Sequence, residues 1–587
     1  MPGSVPPTIV DVLQHHAATR GDKQAIGYLE RGERLVETAT YAELDEAARR
    51  VAAGLISLGA EGRPVLMPMS SGLGTVKGFL GCLYAGALAV PVPPQWQMRG
   101  RNRSAAIAAN ANARLALAAD PDDADKLQAV TAETGLPMQV VATSDLLEAE
   151  PLERTAGPAA DRIAFIQYTS GSTSHPKGIA VTHANIMANE AMIAEAFGNK
   201  DDSVVVLSWL PLHHDMGLIG SVLQPLYMGG RCYLMSSLSF LQKPLRWLAA
   251  MDRYRATKSG APNFAYDLCV RRIGEEAAAG LDLSAWSLAF CGSEQVRPDV
   301  MQRFAERFAP SGFKASALYP CYGLAEATLF VTGCGFDTGV RQRRFGRSDI
   351  GGVSAGTVST RDMVACGHAW KDCRIAIVDP ATGQEVPDSG VGEICVSGSH
   401  VTPGYWHAGT GDVRPAPGQR IEIGGTAYLR TGDLGVVADG DLYVVGRIKD
   451  MIIVRGTNIY AEDVEDTVLS AQLPAPVSAA AAFAVETGEA EELVIVCEAG
   501  REVCARSDLA GLLAAIRKTV ADNHGVTPVD VVLAPRGAID RTTSGKVRRG
   551  ATREHYVGRQ LKQVAALREA PSTAPAAVRP AAPQAAT

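Results

Sequence analysis

The sequence predicts an α/β protein of more than one domain, and three observations support this. Short β-branched runs alternate with amphipathic helical patterns in the first part of the chain, which favours parallel sheets covered by helices. From Lys371 onward the pattern becomes mostly strand-like. The length of 587 residues also exceeds the ~250–300 residues at which a single hydrophobic core stops growing.

The first region contains an amphipathic helix at residues 40–60, where apolar residues recur at spacings of three and four behind a Thr cap. Strand-like runs follow it, namely VLMPM, IAFIQYT, SVVVLSWL and RCYLM. After Lys371, the runs RIAIVD, GEICVSG, TAYLRTGDLG and DLYVVGR predict a smaller β-rich unit, with turns at residues 388–390 and 439–440.

A second unit is predicted after Gly446. It contains MIIVRG, a helix from about Ala461, the strand ELVIVCEA and a long helix near residues 508–524. We place the first domain at residues 1–447 and the second at 448–560. Residues 561–587 are rich in Pro and Ala and bury too little apolar surface to fold, so we expect a disordered tail there.

Composition excludes several classes of protein. A net charge of −7 argues against a nucleic-acid partner, which needs a basic surface. The 11 cysteines are scattered without any CxxC pair, which argues against a zinc site or a disulfide framework and favours a reducing compartment. The longest uncharged apolar stretch, residues 78–94, is interrupted by prolines and is shorter than the ~20 residues of a membrane span. We therefore expect a cytoplasmic protein without integral membrane association.

The strongest local motif is YTSGSTSHPKG at residues 168–178, which follows a strand-like run and precedes the helical pattern ANIMANEAMIAEAF. Glycines and small hydroxyls let backbone N–H groups close on phosphate oxygens, and a lysine adds charge. The motif does not fit a Walker loop. The alternative is a polar loop that only happens to be rich in Ser and Thr. Its candidate phosphate ligands are Thr169, Ser170, Gly171, Ser172, Thr173 and Lys177.

Five further motifs follow in order: GSE (292–294), YGLAEAT (322–328), YLRTGDLG (428–435), GRIKDMII (446–453) and TSGK (543–546). With this series the chain resembles, over roughly residues 10–560, the adenylate-forming superfamily of acyl-CoA ligases, luciferases and peptide-synthetase adenylation domains. The resemblance implies a large N-terminal domain of stacked α/β subdomains plus a β-barrel-like unit, followed by a small mobile α+β C-terminal domain.

The resemblance also implies ATP and Mg²⁺ as cofactors and assigns roles to residues. Glu326 would hold Mg²⁺, Lys449 would be the hinge between the domains, and Lys546 would be the catalytic cation at the carboxylate and α-phosphate. Relatives often carry Thr where this chain has Ala325, so a hydroxyl contact to the α-phosphate is missing or supplied by Thr328. The remaining nucleotide-binding candidates are Gly292, Ser293, Glu294, Tyr322, Gly323, Ala325, Asp433 and Arg447.

The segment WLPLHHDMGLIG at residues 209–220 marks the acid pocket in this superfamily. His214 is expected near the adenylate as a catalytic residue. Amino-acid-activating relatives place an Asp in this region to bind the α-ammonium group of their substrate, and Asp215 could occupy that position. The flanking His-His and Met-Gly pairs instead resemble the corresponding segment of fatty acyl-AMP ligases. The apolar residues are expected along the substrate chain, with simple core packing as the alternative. The acyl-pocket candidates are Asp215, Met216, Leu218, Ile219 and Phe264.

The segment between Glu326 and Asp379 is longer than acyl-CoA ligases need, and long loops are often functional. Fatty acyl-AMP ligases carry an insertion here that is thought to hinder thioester formation with CoA. We place it at about residues 336–363, with a decorative surface loop as the alternative. If it packs against the second domain, its apolar residues should matter more than ion pairs. The apolar candidates are Phe336, Phe345 and Ile350, and the charged ones are Arg341, Arg343, Arg344 and Arg347.

These features together predict an enzyme that converts a medium- or long-chain fatty acid and ATP into fatty acyl-AMP and pyrophosphate. The acyl group would then pass to the phosphopantetheine of an acyl carrier protein in a polyketide or peptide synthetase pathway. One alternative is a fatty acyl-CoA ligase. Another is a non-catalytic relative that only docks carrier proteins, against which the presence of Glu326, Asp433, Arg447 and Lys546 argues.

Overall fold

The computed structural model describes residues 6–94, 103–134, 137–154, 156–168, 176–346, 360–387, 389–454, 457–487, 490–506, 508–541 and 546–568. By their contacts these residues form two units. The first contains the described residues of Met1–Phe345, Thr360–Ile448 and Arg541–Lys546. The second contains Gly346 and the described residues of Lys449–Asp540 and Val547–Thr587. One of the changes of unit along the chain falls between Ile448 and Lys449.

The first unit combines helices and strands throughout. Its helices are α1 (Ile9–Arg20), α2 (Tyr41–Ser57), α3 (Leu73–Ala85), α4 (Arg103–Ala111), α5 (Pro121–Thr134), α6 (Thr143–Leu146), α7 (His183–Ala196), α8 (Asp215–Leu218), α9 (Gln224–Met228), α10 (Ser237–Gln242), α11 (Leu245–Arg253), α12 (Asn263–Arg272), α13 (Glu275–Ala279) and α14 (Pro298–Phe308). Its strands are β1 (Gln24–Glu30), β2 (Arg34–Thr40), β3 (Pro64–Pro68), β4 (Leu88–Val92), β5 (Leu115–Ala118), β6 (Gln139–Ala142), β7 (Ile163–Tyr168), β8 (Gly178–Thr182), β9 (Val205–Ser208), β10 (Arg231–Met235), β11 (Lys258–Gly260), β12 (Leu288–Cys291), β13 (Leu318–Gly323), β14 (Phe330–Gly333), β15 (Gln342–Gly346), β16 (Thr360–Val364), β17 (His368–Ala369), β18 (Arg374–Val378), β19 (Gly392–Ser397), β20 (Gly404–His407), β21 (Asp412–Arg414), β22 (Arg420–Ile423), β23 (Thr426–Ala438) and β24 (Asp441–Arg447).

Two large sheets build most of the first unit. One has nine strands in the order β17-β14-β13-β12-β11-β9-β10-β1-β2, and the other has eight in the order β21-β20-β8-β7-β4-β3-β5-β6. The central strands of both pair in parallel, for example β10 with β9 and β3 with β4, and antiparallel pairs lie toward the edges. The predicted parallel α/β architecture is therefore confirmed.

Helix α2 shows how the sequence specifies these elements. Thr40 caps it by accepting from the Glu43 N–H, and the Glu43 side chain accepts in return from the Thr40 N–H, which completes a capping box. Its inner face, with Leu44, Val51 and Leu55, is buried. The predicted helix at residues 40–60 is confirmed.

The predicted β-rich unit is also confirmed. It is a five-stranded antiparallel sheet in the order β18-β19-β23-β22, with β24 paired to β23. The turn between β23 and β24 places Asp439 and Gly440 at φ +53° and +81°, a left-handed pair that suits a tight hairpin. Because β23 and β24 are in register, Asp433 lies opposite Arg447.

The second unit has its own core, built on a four-stranded sheet in the order β27-β28-β29-β30 and a two-stranded pair, β25 with β26. The predicted helices and strand of this unit are present. Its helices are α15 (Ala461–Ser470), α16 (Arg501–Cys504), α17 (Leu509–His524) and α18 (Arg549–Val557), and its strands are β25 (Met451–Val454), β26 (Thr457–Tyr460), β27 (Ala479–Thr487), β28 (Ala490–Ala499), β29 (Asp530–Pro535) and β30 (Ala565–Arg568).

The prediction of a disordered tail from residue 561 is wrong for its first residues. Ala565–Arg568 forms β30, which pairs with β29, and the Arg568 guanidinium lies 2.6 Å from the Asp530 carboxylate. The Pro/Ala-rich composition begins only beyond this strand, so residues 561–568 retain enough apolar and paired groups to be ordered. Residues 569–587 lie outside the described residues. Over the part of the chain that is described, no helix combines the length and apolar character needed to cross a membrane.

Candidate active site

Asp433 is the centre of a fixed polar cluster. Its Oδ2 accepts a 2.8 Å hydrogen bond from the Tyr322 hydroxyl, and its Oδ1 lies 2.9 Å from Arg447 Nε. Burial, and then the nearby Asp433 charge, raise the pKa of Tyr322 well above its ordinary value, so the phenol keeps the proton that it donates. Strand register and two direct bonds therefore hold three of the predicted nucleotide-binding residues together.

The GSE motif lies at the end of β12, beside β13. Ser293 has φ +70°, and its hydroxyl donates to Met216 Sδ at 3.7 Å. The Glu294 carboxylate accepts from the Phe264 N–H at 3.3 Å. The nucleotide motif and the acid segment are therefore in direct contact. At Gly323 a Cβ would lie 1.8 Å from the Leu329 carbonyl oxygen, so only glycine fits there.

Glu326 lies in the short 3₁₀ helix Ala325–Ala327, half-buried beside a cavity of about 280 Å³. Its Oε1 accepts a 3.0 Å bond from the Tyr405 hydroxyl. Burial raises the pKa of the Glu326 carboxyl and Asp433 adds to that rise, whereas Tyr405 and Arg447 oppose it. The carboxylate is thus placed in a polar cavity next to the Asp433 cluster.

The structure argues against one role suggested for Thr328. Its hydroxyl donates to the His400 carbonyl at 2.6 Å, and the residue is 1% exposed. The single proton of this hydroxyl is therefore used inside the fold, so Thr328 does not supply the hydroxyl that Ala325 lacks. Ala325 itself is buried.

Lys546 belongs by its contacts to the first unit and is half-buried. Burial, and then the Arg447 charge, lower the pKa of its ammonium group. Three carboxylates near it oppose that shift, those of Asp215, Glu294 and Asp433. The predicted catalytic lysine is thereby brought together with the predicted nucleotide and acid residues.

The predicted phosphate loop follows β7, and the predicted helix is present as α7 after the additional strand β8. Residues 169–175, which include Thr169, Ser170, Gly171, Ser172 and Thr173, lie outside the described residues. The strands on either side, β7 and β8, form an antiparallel pair, so β8 rather than a helix follows the loop directly. Lys177 is exposed, and its Nζ lies 5.7 Å from the centre of the Tyr405 ring.

The acid segment has an unusual backbone. The short helix α8 begins at Asp215, and the π-helix Ile219–Leu223 follows it directly. Such wide turns are rare and often lie at functional sites. Met216, Leu218 and Ile219 are 7%, 1% and 0% exposed and belong to the main core. Their contact with a substrate chain stays a prediction, and core packing remains an adequate account of their burial.

Polar residues of the same segment lie close to the site. Burial raises the pKa of the Asp215 carboxyl, and the charge of Lys546 opposes this. A lysine is therefore the cation beside Asp215. The rings of His213 and His214 lie 4.5 Å apart. Phe264 is half-buried, with its ring centre 6.1 Å from that of Trp209.

The described part of the insertion pairs, packs and forms hydrogen bonds within the first unit. Strands β15 and β16 pair with each other, and Phe345 packs edge-on against Tyr443 at 5.0 Å. The Arg361 guanidinium donates to Gln295 Oε1 at 2.7 Å, next to the GSE motif. Phe336 is 41% exposed, beside the Lys258 ammonium. Arg347 and Ile350 lie outside the described residues.

Three arginines of the insertion form ion pairs inside the first unit. Arg341 pairs with Asp441 at 2.8 Å, and Arg343 with Asp439 at 2.5 Å, both near the β23–β24 turn. Arg344 pairs with Asp362 on the neighbouring strand at 2.8 Å. Two of these pairs therefore join the insertion base to the β23–β24 turn, and the third lies within the insertion.

Sequence reasoning missed Tyr405 and Gln419, the hydrogen-bonded partners of Glu326 in this cavity. Tyr405 follows a Gly in a short strand, where an aromatic residue most often serves packing. Gln419 lies in a Pro/Gly turn that resembles any surface loop. Only the pairing of β20 with β8 brings Tyr405 to Glu326. The hinge role of Lys449 stays a prediction; the residue is exposed in the 3₁₀ turn Ile448–Asp450.

Comparison with known proteins identifies the family of the chain. Residues 13–406 match the family of AMP-binding enzymes, and residues 449–566 match the AMP domain of the Disco-interacting protein 2-like family. The chain is 36% identical to a medium-chain-fatty-acid–[acyl-carrier-protein] ligase of Moorena producens, over 95% of this chain and 96% of the relative.

Two further proteins show the same likeness. A long-chain-fatty-acid–AMP ligase of Mycobacterium tuberculosis is 34% identical, over 94% of this chain and 97% of the relative. The solved fatty acid AMP ligase from Legionella pneumophila is 36% identical with a TM-score of 0.68, over 96% of this chain and 98% of that chain. The chain therefore belongs to the AMP-binding enzyme family and, within it, is a fatty acyl-AMP ligase.

Proposed function

We propose that this enzyme activates a medium- or long-chain fatty acid as its acyl-adenylate and passes the acyl group to the phosphopantetheine thiol of a carrier protein. The observation that carries the proposal is the direct contact between the two halves of the site. Ser293 and Glu294 of the nucleotide motif bond to Met216 and to the Phe264 N–H of the acid side. A bound carboxylate would therefore lie beside the nucleotide, with its apolar chain directed toward buried apolar residues.

The proposed chemistry is an in-line displacement. A carboxylate oxygen of the acid forms a bond to the α-phosphorus of ATP, and the bond from that phosphorus to the pyrophosphate oxygen breaks. No proton transfer is needed because the acid is already ionised near pH 7. The chain contributes positioning and charge stabilisation. Asp433 and Arg447 would hold the ribose, Tyr322 would face the adenine, and the Lys546 ammonium would stabilise the charge that develops at the α-phosphate.

The residues at Glu326 fit a magnesium ion. The structure offers one oriented carboxylate in a polar cavity. Within the described ranges no group of three or more His, Cys, Asp or Glu side chains forms an all-protein metal cage. Mg²⁺ typically takes one or two carboxylates and completes its shell with water and substrate phosphates. Bound there, the ion would neutralise phosphate charge; Glu326 would hold it, and Lys177 would add a cation at the same end.

The names of the relatives support the proposed acyl-AMP intermediate and the proposed carrier-protein acceptor. The Moorena producens protein is named as a ligase to an acyl carrier protein, and the Mycobacterium tuberculosis protein as a fatty-acid–AMP ligase. We extend both statements to this chain. A carrier-bound thiol is therefore the proposed acceptor, with free CoA as the competing acceptor of an acyl-CoA ligase.

Acyl transfer to a holo carrier domain tests this proposal. The enzyme is incubated with ATP, Mg²⁺ and acids from acetate to palmitate, and the mass of the carrier is measured. Acylation should need the phosphopantetheine arm and should favour medium or long chains. An apo carrier domain is the matched control. Preference for acetate or an amino acid, or no acyl-AMP with any acid, would overturn the proposal.

A further inference from the structure

The cavity beside Glu326 contains a hydrogen-bonded chain of three side chains. The Gln419 amide Nε2 lies 3.0 Å from the Tyr405 hydroxyl oxygen, which in turn lies 3.0 Å from Glu326 Oε1. All three residues line the same cavity. We propose that Tyr405, held by Gln419, is a positioning residue that fixes the Glu326 carboxylate for the metal-bound nucleotide. The inference rests on the proposed function, in which Glu326 serves Mg²⁺.

The direction of these bonds is set by the structure. Gln419 Oε1 accepts from the Ala416 N–H at 2.9 Å, so the amide must turn its NH₂ group toward Tyr405. The phenol oxygen therefore accepts from Gln419, and its single proton is left for Glu326. The donated bond orients the carboxylate through Oε1, and the proposal assigns Oε2 to the metal ion.

The segment that carries Tyr405 also holds the Glu326 backbone. Both the N–H and the hydroxyl of Thr402 donate to the Glu326 carbonyl, each at 2.9 Å. Between Thr402 and Tyr405, Gly404 has φ +145°, and a Cβ there would lie 2.4 Å from the Arg414 carbonyl. Residues 402–405 therefore form hydrogen bonds to both the main chain and the side chain of Glu326. The backbone between these bonds accepts only glycine at position 404.

Strand pairing places the same tyrosine near Lys177. Tyr405 lies opposite Ile179 in the β20–β8 pair, two positions beyond Lys177. The Lys177 ammonium lies 5.7 Å from the ring centre, within the range of cation–π attraction. One side chain therefore contacts the cation proposed for the phosphates through its ring and the carboxylate proposed for the metal through its hydroxyl.

Tyr405→Phe separates the two contacts, because it keeps the ring and removes the hydroxyl. Partners that orient a metal ligand typically change metal affinity by about 10–100-fold. We expect Tyr405→Phe to weaken ATP binding about tenfold with Mg²⁺ present and to leave ATP binding in EDTA nearly unchanged. Calorimetric titration of ATP under the two conditions measures this without reference to activity. The half-saturating Mg²⁺ concentration for acyl-AMP formation should rise in parallel.

Two further variants complete the test. Gln419→Leu leaves Tyr405 in place and should shift the Mg²⁺ requirement in the same direction by a smaller factor. Tyr84→Phe is the matched control, because it removes a Tyr hydroxyl that donates to Asp45 at 2.9 Å elsewhere in the first unit. It should change neither titration. Melting curves identify any variant that does not fold.

The inference is overturned if folded Tyr405→Phe weakens ATP binding equally with Mg²⁺ and in EDTA, or if neither folded variant changes the Mg²⁺ requirement. Failure of the proposed function is a separate result: the wild-type enzyme would then make no acyl-AMP at any Mg²⁺ concentration.

Discussion

In the nucleotide half of the site polar side chains are fixed by strand register, whereas in the acid half apolar side chains are fixed by packing. Asp433 lies opposite Arg447 in paired strands and also accepts from Tyr322. Met216 and Ile219 instead belong to the main core, around a π-helix. The polar residues of the nucleotide half can therefore be predicted from their spacing in the sequence. The size of the acid pocket depends on contacts that no local pattern encodes.

Lys546 interacts electrostatically with both halves, and its removal should have the largest effect. Lys546→Ala should lower the rate of acyl-AMP formation by ~10²–10³-fold, the usual cost of one positioned charge at a transition state. ATP binding should largely remain, since Asp433, Arg447 and Tyr322 are unchanged. Single-turnover rates and ATP titration measure the two effects. Wild-type rates in a folded Lys546→Ala enzyme would contradict this role.

The same lysine gives a pH dependence with a definite sign. Burial and Arg447 lower the pKa of its ammonium group, and the charged form is the working form. Activity should therefore be present below that lowered pKa and should fall as pH rises through it. Lys546→Arg keeps its charge to above about pH 12, so its alkaline decline should move to higher pH. If Lys546→Arg lost activity at the same alkaline pH as the wild-type enzyme, another group would be responsible for that loss.

Tyr322→Phe should affect the nucleotide half alone. It removes the bond to a buried carboxylate, and hydrogen bonds to charged groups contribute ~1.5–3 kcal/mol. We expect KM for ATP to rise by about tenfold or more, with KM for the fatty acid nearly unchanged. Tyr266→Phe, which removes a buried hydroxyl bonded to the Phe290 carbonyl, is the matched control. An equal rise in both KM values would break the proposed separation of the halves.

The acid half should respond to chain length instead. Each buried methylene contributes ~0.8 kcal/mol, so kcat/KM should rise about fourfold per methylene until the pocket is full. Met216→Phe should move the optimum to shorter acids than Met216→Leu, the volume-conserving control that also lacks the sulfur contacted by Ser293. If Met216→Phe left the chain-length profile unchanged, Met216 would be a core residue only.

The smallest effect on adenylation is expected at the insertion. Replacing residues 347–359 by a short Gly-Ser linker retains β15, β16 and the bond from Arg361 to Gln295. Loop-length changes cost only ~0.6 kcal/mol per doubling, so acyl-AMP formation should be nearly unchanged while some acyl-CoA appears. Arg361→Ala is the contrasting variant, and it should raise KM for ATP because Gln295 adjoins the nucleotide motif. A folded linker variant that forms no acyl-CoA would contradict the role of the insertion.

Much of this fold was predictable from the sequence, because its determinants are local. The Thr40 cap, the alternation around β7 and the Asp439-Gly440 turn each act within a few residues. The nucleotide cluster was predictable for a different reason, since its members lie in motifs whose order resembles a known superfamily. The roles of individual residues at the acid pocket, the hinge and the metal site remain predictions.

Other features depend on contacts between distant segments and could not be predicted. Tyr405 reaches Glu326 only because β20 pairs with β8. Thr328 was suggested for the α-phosphate, but the fold directs its hydroxyl to the His400 carbonyl. Arg341 and Arg343 were named only as charged residues of the insertion, and their partners, aspartates near the β23–β24 turn, lie about 100 positions away in the sequence. The strand β30 was missed because composition changes only after it.

That the enzyme makes fatty acyl-AMP for a carrier protein, and not acyl-CoA, is tested most directly by the product it makes from labelled dodecanoate, ATP, Mg²⁺ and CoA. Chromatography separates acyl-AMP from acyl-CoA in one run, and a holo carrier domain is then added to the same mixture. We predict that acyl-AMP forms with CoA present and that little acyl-CoA appears. The label should move to the carrier when the carrier is added. Efficient acyl-CoA formation with no transfer to a carrier would contradict this prediction.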